Sequence, residues 1–138
     1  MRVKQMLAIG ASLLVIGIVV TMLMTKHKYI SKTNFESNST VFIQFEIDGQ
    51  IEYRQLDKDD TSQIIEILDD RFEYRENYSC GFSASSAIVI DGVSYYIASD
   101  GCPFLLDTSS NLYFKISKEN KHEISNIFAK YGGIVYWK

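Results

Sequence analysis

The hydrophobic pattern changes character twice along the chain. From Met6 to Met24, MLAIGASLLVIGIVVTMLM, no side chain is charged and only Gly10, Ser12, Gly17 and Thr21 interrupt the apolar run. At about 1.5 Å per helical residue such a run reaches across roughly the 30 Å hydrocarbon core of a bilayer. A buried globular helix would carry a polar stripe instead. The pattern predicts a transmembrane anchor over 6–24 behind a short tail over 1–5. Residues 25–40, TKHKYISKTNFESNST, mix charge with small polar side chains and keep no period, which suits a polar spacer. Residues 41–138 then alternate in the manner of a folded domain.

Within that domain VFIQFEI and QIEYRQL flank Asp48-Gly49, a strong local hairpin signal. Val41, Ile43, Phe45 and Ile47 alternate to one side. They match Ile51 and Tyr53 only through a three-residue turn or a bulge, since a plain two-residue turn opposes Phe45 to Glu52. In LDKDDTSQIIEILDDRF, Asp59, Asp60 or Thr61 is placed to cap a helix whose apolar stripe is Ile64, Ile65, Leu68 and Phe72. A second hairpin turns at Asp91-Gly92, LYFKI reads as a strand, and Ser117 opens a helix with the stripe Ile124, Ile127, Phe128 and Tyr131. The expected fold class is α+β: the N-terminal transmembrane helix, then a small antiparallel sheet with two helices packed on one face, in the order hairpin-helix, hairpin-strand-helix. IDGQIEY resembles IDGVSYY, which allows a duplication, and Trp137 in the closing IVYWK is expected against the core.

Composition narrows the class. With 46% hydrophobic residues and a single proline the chain suits one ordered domain. A formal net charge of −3 excludes the basic footprint of a nucleic-acid binder. The apolar run has no A-x-A-like cleavage site and no cysteine after it, so an uncleaved signal anchor is expected. Arg2 and Lys4 on one side balance Lys26, Lys28 and Lys32 on the other. An N-terminal apolar segment followed by a whole domain then favours an extracytoplasmic domain.

Both cysteines, Cys80 and Cys102, fall in CGFSASSAIVIDGVSYYIASDGCP. A two-residue turn at Asp91-Gly92 gathers Ile88, Ile90, Val93, Tyr95 and Ile97 on one face. Continued outward, it sets Cys80 opposite Pro103, so the thiols arrive one step out of alignment. A disulfide is reachable if Gly81, Gly101 and Pro103 let the strand ends splay. Two separate buried thiols, a redox pair and a metal site are the other readings, each lacking a supporting motif: no C-x-x-C occurs, and His27 and His122 are remote. Asp100, Gly101 and Pro103 form a candidate interaction loop beside the pair. No nucleophile elbow, phosphate-binding glycine loop or H-E-x-x-H motif occurs, so no catalytic residue and no cofactor are expected.

Cys80-Gly81-Phe82, Asp100-Gly101-Cys102-Pro103 and Lys130-Tyr131-Gly132 together resemble small uncharacterised modules of low-GC Gram-positive bacteria that share a C-G-F, D-x-C-P and K-Y-G layout. Such chains often end in Phe-Pro-Cys, where this one has Ile134-Val135-Tyr136-Trp137. The resemblance implies no activity. The functional expectation is a membrane-anchored extracytoplasmic domain that binds another protein or an envelope component. A thiol-dependent enzyme or sensor, or a small membrane-bound immunity or inhibitor protein, is the alternative.

Overall fold

Two Asp-Gly turns organise the sheet. A computed structural model describes residues 35, 36, 38–69, 72–74, 79–135 and 137, with the backbone alone at 72–74. The anchor expected over 6–24, the tail over 1–5 and most of the spacer lie outside the described residues. Strands β1 (Val41–Ile47) and β2 (Gln50–Gln55) are followed by helix α1 (Lys58–Asp69). Then come β3 (Phe72–Tyr74), β4 (Phe82–Ile90), β5 (Val93–Ala98), β6 (Phe104–Asp107), β7 (Leu112–Lys115) and helix α2 (Lys118–Lys130). The strands form one sheet in the order β2-β1-β4-β5-β6-β7-β3, and every pairing in it is antiparallel.

Asp48 and Gly49 have φ of 52° and 79°, and Asp91 and Gly92 have 48° and 85°. Two consecutive positive φ values define the type I′ turn, whose twist matches that of paired strands. Val41 and Ile43 pair with Ile90 and Ile88, Ile88 with Tyr95, and Leu105 with Ile97 and Phe114. Side-chain alternation puts all of these on one face. With Ile64, Ile67 and Leu68 of α1 and Ile124, Ile127 and Phe128 of α2 they form a single hydrophobic core. On the other face Phe82 packs against Tyr113 at 5.5 Å between ring centroids, and Ala87 and Ala98 are buried.

The expected fold is corrected in its architecture. The sheet has seven strands: Phe72, expected at the end of the α1 stripe, opens β3, and Phe104–Asp107, to which the pattern assigns no element, forms β6. The second half is therefore two hairpins and a helix, not hairpin-strand-helix. The expected fold class also placed a transmembrane helix ahead of the sheet; no helix among the described residues is long and apolar enough to cross a membrane. The likeness of IDGQIEY to IDGVSYY sets the two Asp-Gly hairpins back to back through β1 and β4, but the β6–β7 hairpin breaks the repeat before α2.

The first turn is corrected as well. Ile47 pairs directly with Gln50 and Phe45 with Glu52, so the turn holds two residues without a bulge. Local turn chemistry wins over side-chain matching. Ile51 and Tyr53 consequently leave the core face and stay 40% and 55% exposed.

The helix caps show which short polar residues act. Ser117 Oγ accepts from Asn120 N at 3.0 Å and caps α2 as expected. At α1 the cap is Asp57, whose Oδ1 accepts from Asp60 N at 2.9 Å, in place of Asp59, Asp60 or Thr61. The chain leaves α2 at Gly132, with φ of 86°, and passes over the core at Gly133. A Cβ there would lie 2.7 Å from Phe45 Cδ1, so only glycine admits the approach. Val135 and Trp137 pack against the core beyond it, and Lys121 Nζ sits 4.7 Å from the Trp137 ring centroid.

Candidate functional site

The Cys80 and Cys102 sulfurs lie at disulfide distance, with Cα atoms 5.9 Å apart and a sequence separation of 22. The route differs from splayed strand ends. The turn register holds from Ile90 opposite Val93 to Ala87 opposite Tyr96, and then Phe82 falls opposite Ala98. Five steps along β4 thus answer two along β5. This bulge draws the start of β4 back along its neighbour and brings Cys80 to the turn at Asp100. The bulge is internally satisfied: buried Gln44 donates from Nε2 to Ala84 O, and the hydroxyls of Ser83 and Ser85 bond each other.

The candidate loop closes over the bridge. Asp100 Oδ2 accepts from Gly81 N at 2.7 Å and its Oδ1 from Cys102 N at 3.2 Å. The Gly81 hydrogen bond, the largest influence, holds the Asp100 carboxyl below the usual carboxylate range against the opposing effect of burial, with the Cys102 N–H adding a smaller push in the same direction. Gly101 takes φ of 85°, and Pro103 O accepts from Ile116 N at 2.8 Å. Ser99 N and Oγ both donate to Gly81 O, at 2.8 and 3.0 Å. Asp100 and Pro103 are thereby tied to the fold's own backbone, with Gly101 turning the chain between them.

Cys80, Asp100 and Cys102 each bring a ligand-type atom within 4.8 Å of the others. Bridged sulfurs offer no thiolate to a cation. In the reduced state the Asp100 charge would oppose thiolate formation, which is the reverse of what a reactive cysteine needs.

A second cluster escaped the sequence reading. Lys130 Nζ lies 2.8 Å from Asp57 Oδ2 and 2.7 Å from Asp60 Oδ2. Tyr131 OH donates to Asp60 Oδ2 at 2.7 Å and accepts from Asp57 N at 2.9 Å. The Asp60 N–H and then Lys130 lower Asp57 to about 2, and the two carboxylates raise Lys130. Burial pushes the Tyr131 phenol up, assisted by its donation to Asp60. The cluster locks the start of α1 to the end of α2. Its signals in the sequence are the acidic residues Asp57, Asp59 and Asp60 at the start of α1, which by themselves only complement the helix dipole, and the Lys130-Tyr131-Gly132 run.

Two surfaces remain. A cleft of 240 Å³ between the helices is lined by Gln63, Glu66, Ile67, Asn120 and Glu123. Gln63 Nε2 donates to Glu123 Oε2 across it at 2.8 Å, so two of its polar side chains already join the helix pair. The other is the outer edge of β2, the terminal strand of the sheet, where Ile51 and Tyr53 are exposed. Fold and site together define a disulfide-closed α+β domain built on a seven-stranded antiparallel sheet. No protein-family model, curated protein or solved structure matches the chain.

Proposed function

We propose that this chain is a membrane-tethered domain on the outer side of the membrane, acting by non-covalent binding. The observation that carries the reading is the β2 edge, a six-residue strand with exposed Ile51 and Tyr53 that pairs with β1 alone among the described strands. Edge charges of one sign prevent pairing, whereas β2 carries Glu52 and Arg54 of opposite sign beside its apolar side chains, which makes it a template for a strand of complementary charge. The apolar run Met6–Met24 supports the tether. The Cys80–Cys102 pair supports an oxidising location, where such bridges persist. Thiol chemistry is disfavoured by the Asp100 carboxylate beside the sulfurs.

Membrane-impermeant maleimide on intact cells tests the location. Labelling of Cys80 and Cys102 after addition of reductant is expected; labelling that requires permeabilised cells overturns the location. Replacing both cysteines by serine tests the mode of action. Retained association with lowered stability is expected, whereas loss of the biological effect in a chain that stays folded assigns the function to the thiols.

A further inference from the structure

We infer that the partner of the β2 edge is a second copy of this chain, paired antiparallel through β2 about a twofold axis at Tyr53. The inference rests on the binding reading of that edge and supplies its partner. Ile47 pairs with Gln50 across the turn, and Leu56 N donates to Val41 O at 2.9 Å. In an antiparallel ladder hydrogen-bonded pairs alternate with non-bonded ones. Gln50, Glu52 and Arg54 therefore direct their backbone groups to β1, while Ile51, Tyr53 and Gln55 direct theirs to the open edge.

An antiparallel partner must match those outward-facing residues to their own kind, which leaves few registers. With Tyr53 opposite its copy, Ile51 faces Gln55 and Glu52 faces Arg54, each pair occurring twice. A slip to the neighbouring register in one direction sets Glu52 against Glu52, and in the other Arg54 against Arg54. Like charges directly opposite each other are destabilising, and opposite charges favourable. Larger slips run one strand into the Asp48-Gly49 turn or into α1, where no strand remains to pair. The run Glu52-Tyr53-Arg54 is thus self-complementary in one register alone.

Within one chain Arg54 and Glu52 already form an ion pair at 2.9 Å, with side chains 48% and 36% exposed. The twofold copy would turn this pair into a cluster of four alternating charges. Tyr53 and its copy would meet on the opposite face, flanked by Ile51. The same patch serves both copies, as a closed twofold interface requires.

The test is charge reversal on the full chain in detergent micelles, with association measured by sedimentation. Glu52→Arg alone and Arg54→Glu alone each create two like-charge pairs and should raise the dimer dissociation constant about tenfold. The combined reversal restores every opposite pair and should restore the dimer. Unchanged thermal unfolding of each variant confirms that the fold is intact. A dimer indifferent to both single reversals, or one not restored by the combined change, overturns the inference. A photo-crosslinking side chain at position 53 in cells separates the two levels of the argument. A dimer-sized adduct is expected; an adduct to a different protein overturns the second copy and leaves the binding reading standing, and no adduct overturns both.

Discussion

Replacing Cys80 and Cys102 by serine removes a bridge that closes a loop of sequence separation 22. In the chain-entropy model, closing a loop of that length in the unfolded ensemble is worth about 3 kcal/mol. For a domain of this size, 1 kcal/mol moves the melting temperature by roughly 4–8 °C, so the double variant should melt roughly 12–24 °C lower. The loss should be local before it is global. The β4 bulge and the Asp100 turn depend on the bridge, whereas the Asp91-Gly92 end of the hairpin is held by the core residues Ile88, Ile90 and Tyr95. Hydrogen exchange should therefore speed up at the Gly81 and Ser99 amides well before it does at Ile88. The assay is thermal unfolding of the full chain in detergent, oxidised, reduced and as the double-serine variant, with amide exchange followed by NMR. Reduced wild type and the double variant should coincide. A fall of less than about 4 °C, corresponding to under 1 kcal/mol, would refute the argument that the bridge restrains the unfolded chain.

Gly133→Ala should destabilise by about 1–3 kcal/mol in denaturant titration, because the added methyl meets Phe45 and Phe128 where the core has no room. An unchanged midpoint would mean that the segment after α2 does not hold its approach to Phe45. The Asp57–Lys130 cluster predicts how stability varies with pH. Asp57 is depressed from 3.8 to about 2, so its contribution is present above pH 3.8 and lost as pH falls toward 2. Lys130 is raised, so its contribution is present below 10.5 and lost as pH climbs through its higher folded value. Lys130→Met should abolish the Lys130 contribution to the alkaline limb of a denaturant-midpoint-versus-pH curve and shrink the acid limb only in part, since the Asp60 N–H still holds Asp57 down, and limbs unchanged in that variant would contradict the assignment.

The secondary structure was legible wherever a local signal was also the tertiary one. Asp-Gly between alternating strands fixed both hairpins, and the stripes Ile64-Leu68 and Ile124-Phe128 marked the helices that cover the sheet. Phe104–Asp107 failed because three successive apolar residues carry no period, and a strand this short is decided by the β5 and β7 backbones beside it. Phe72–Tyr74 failed because Phe72 extends the helical spacing of α1, while its backbone pairs with β7. The candidate site was legible as a pair of cysteines but not as a geometry. A bulge is a property of two strands, and here its extra residues are met from a third, where Gln44 of β1 donates to the Ala84 carbonyl.

What the sequence determined by itself is the local chemistry: two Asp-Gly hairpins, two amphipathic helices, an apolar run at the start and a single pair of thiols. Each follows from the conformational preference or hydrophobicity of neighbouring residues. Tertiary structure decided which of these meet. It left Ile51 and Tyr53 outside the core, because the two-residue turn sets the register of β2 and β2 is the terminal strand of the sheet. It gave Asp57, Asp60, Lys130 and Tyr131 a common position, because α1 and α2 pack side by side on one sheet. It carried Cys80 to Cys102 through a bulge, because no strand can lengthen on one side of a ladder without bending around the other.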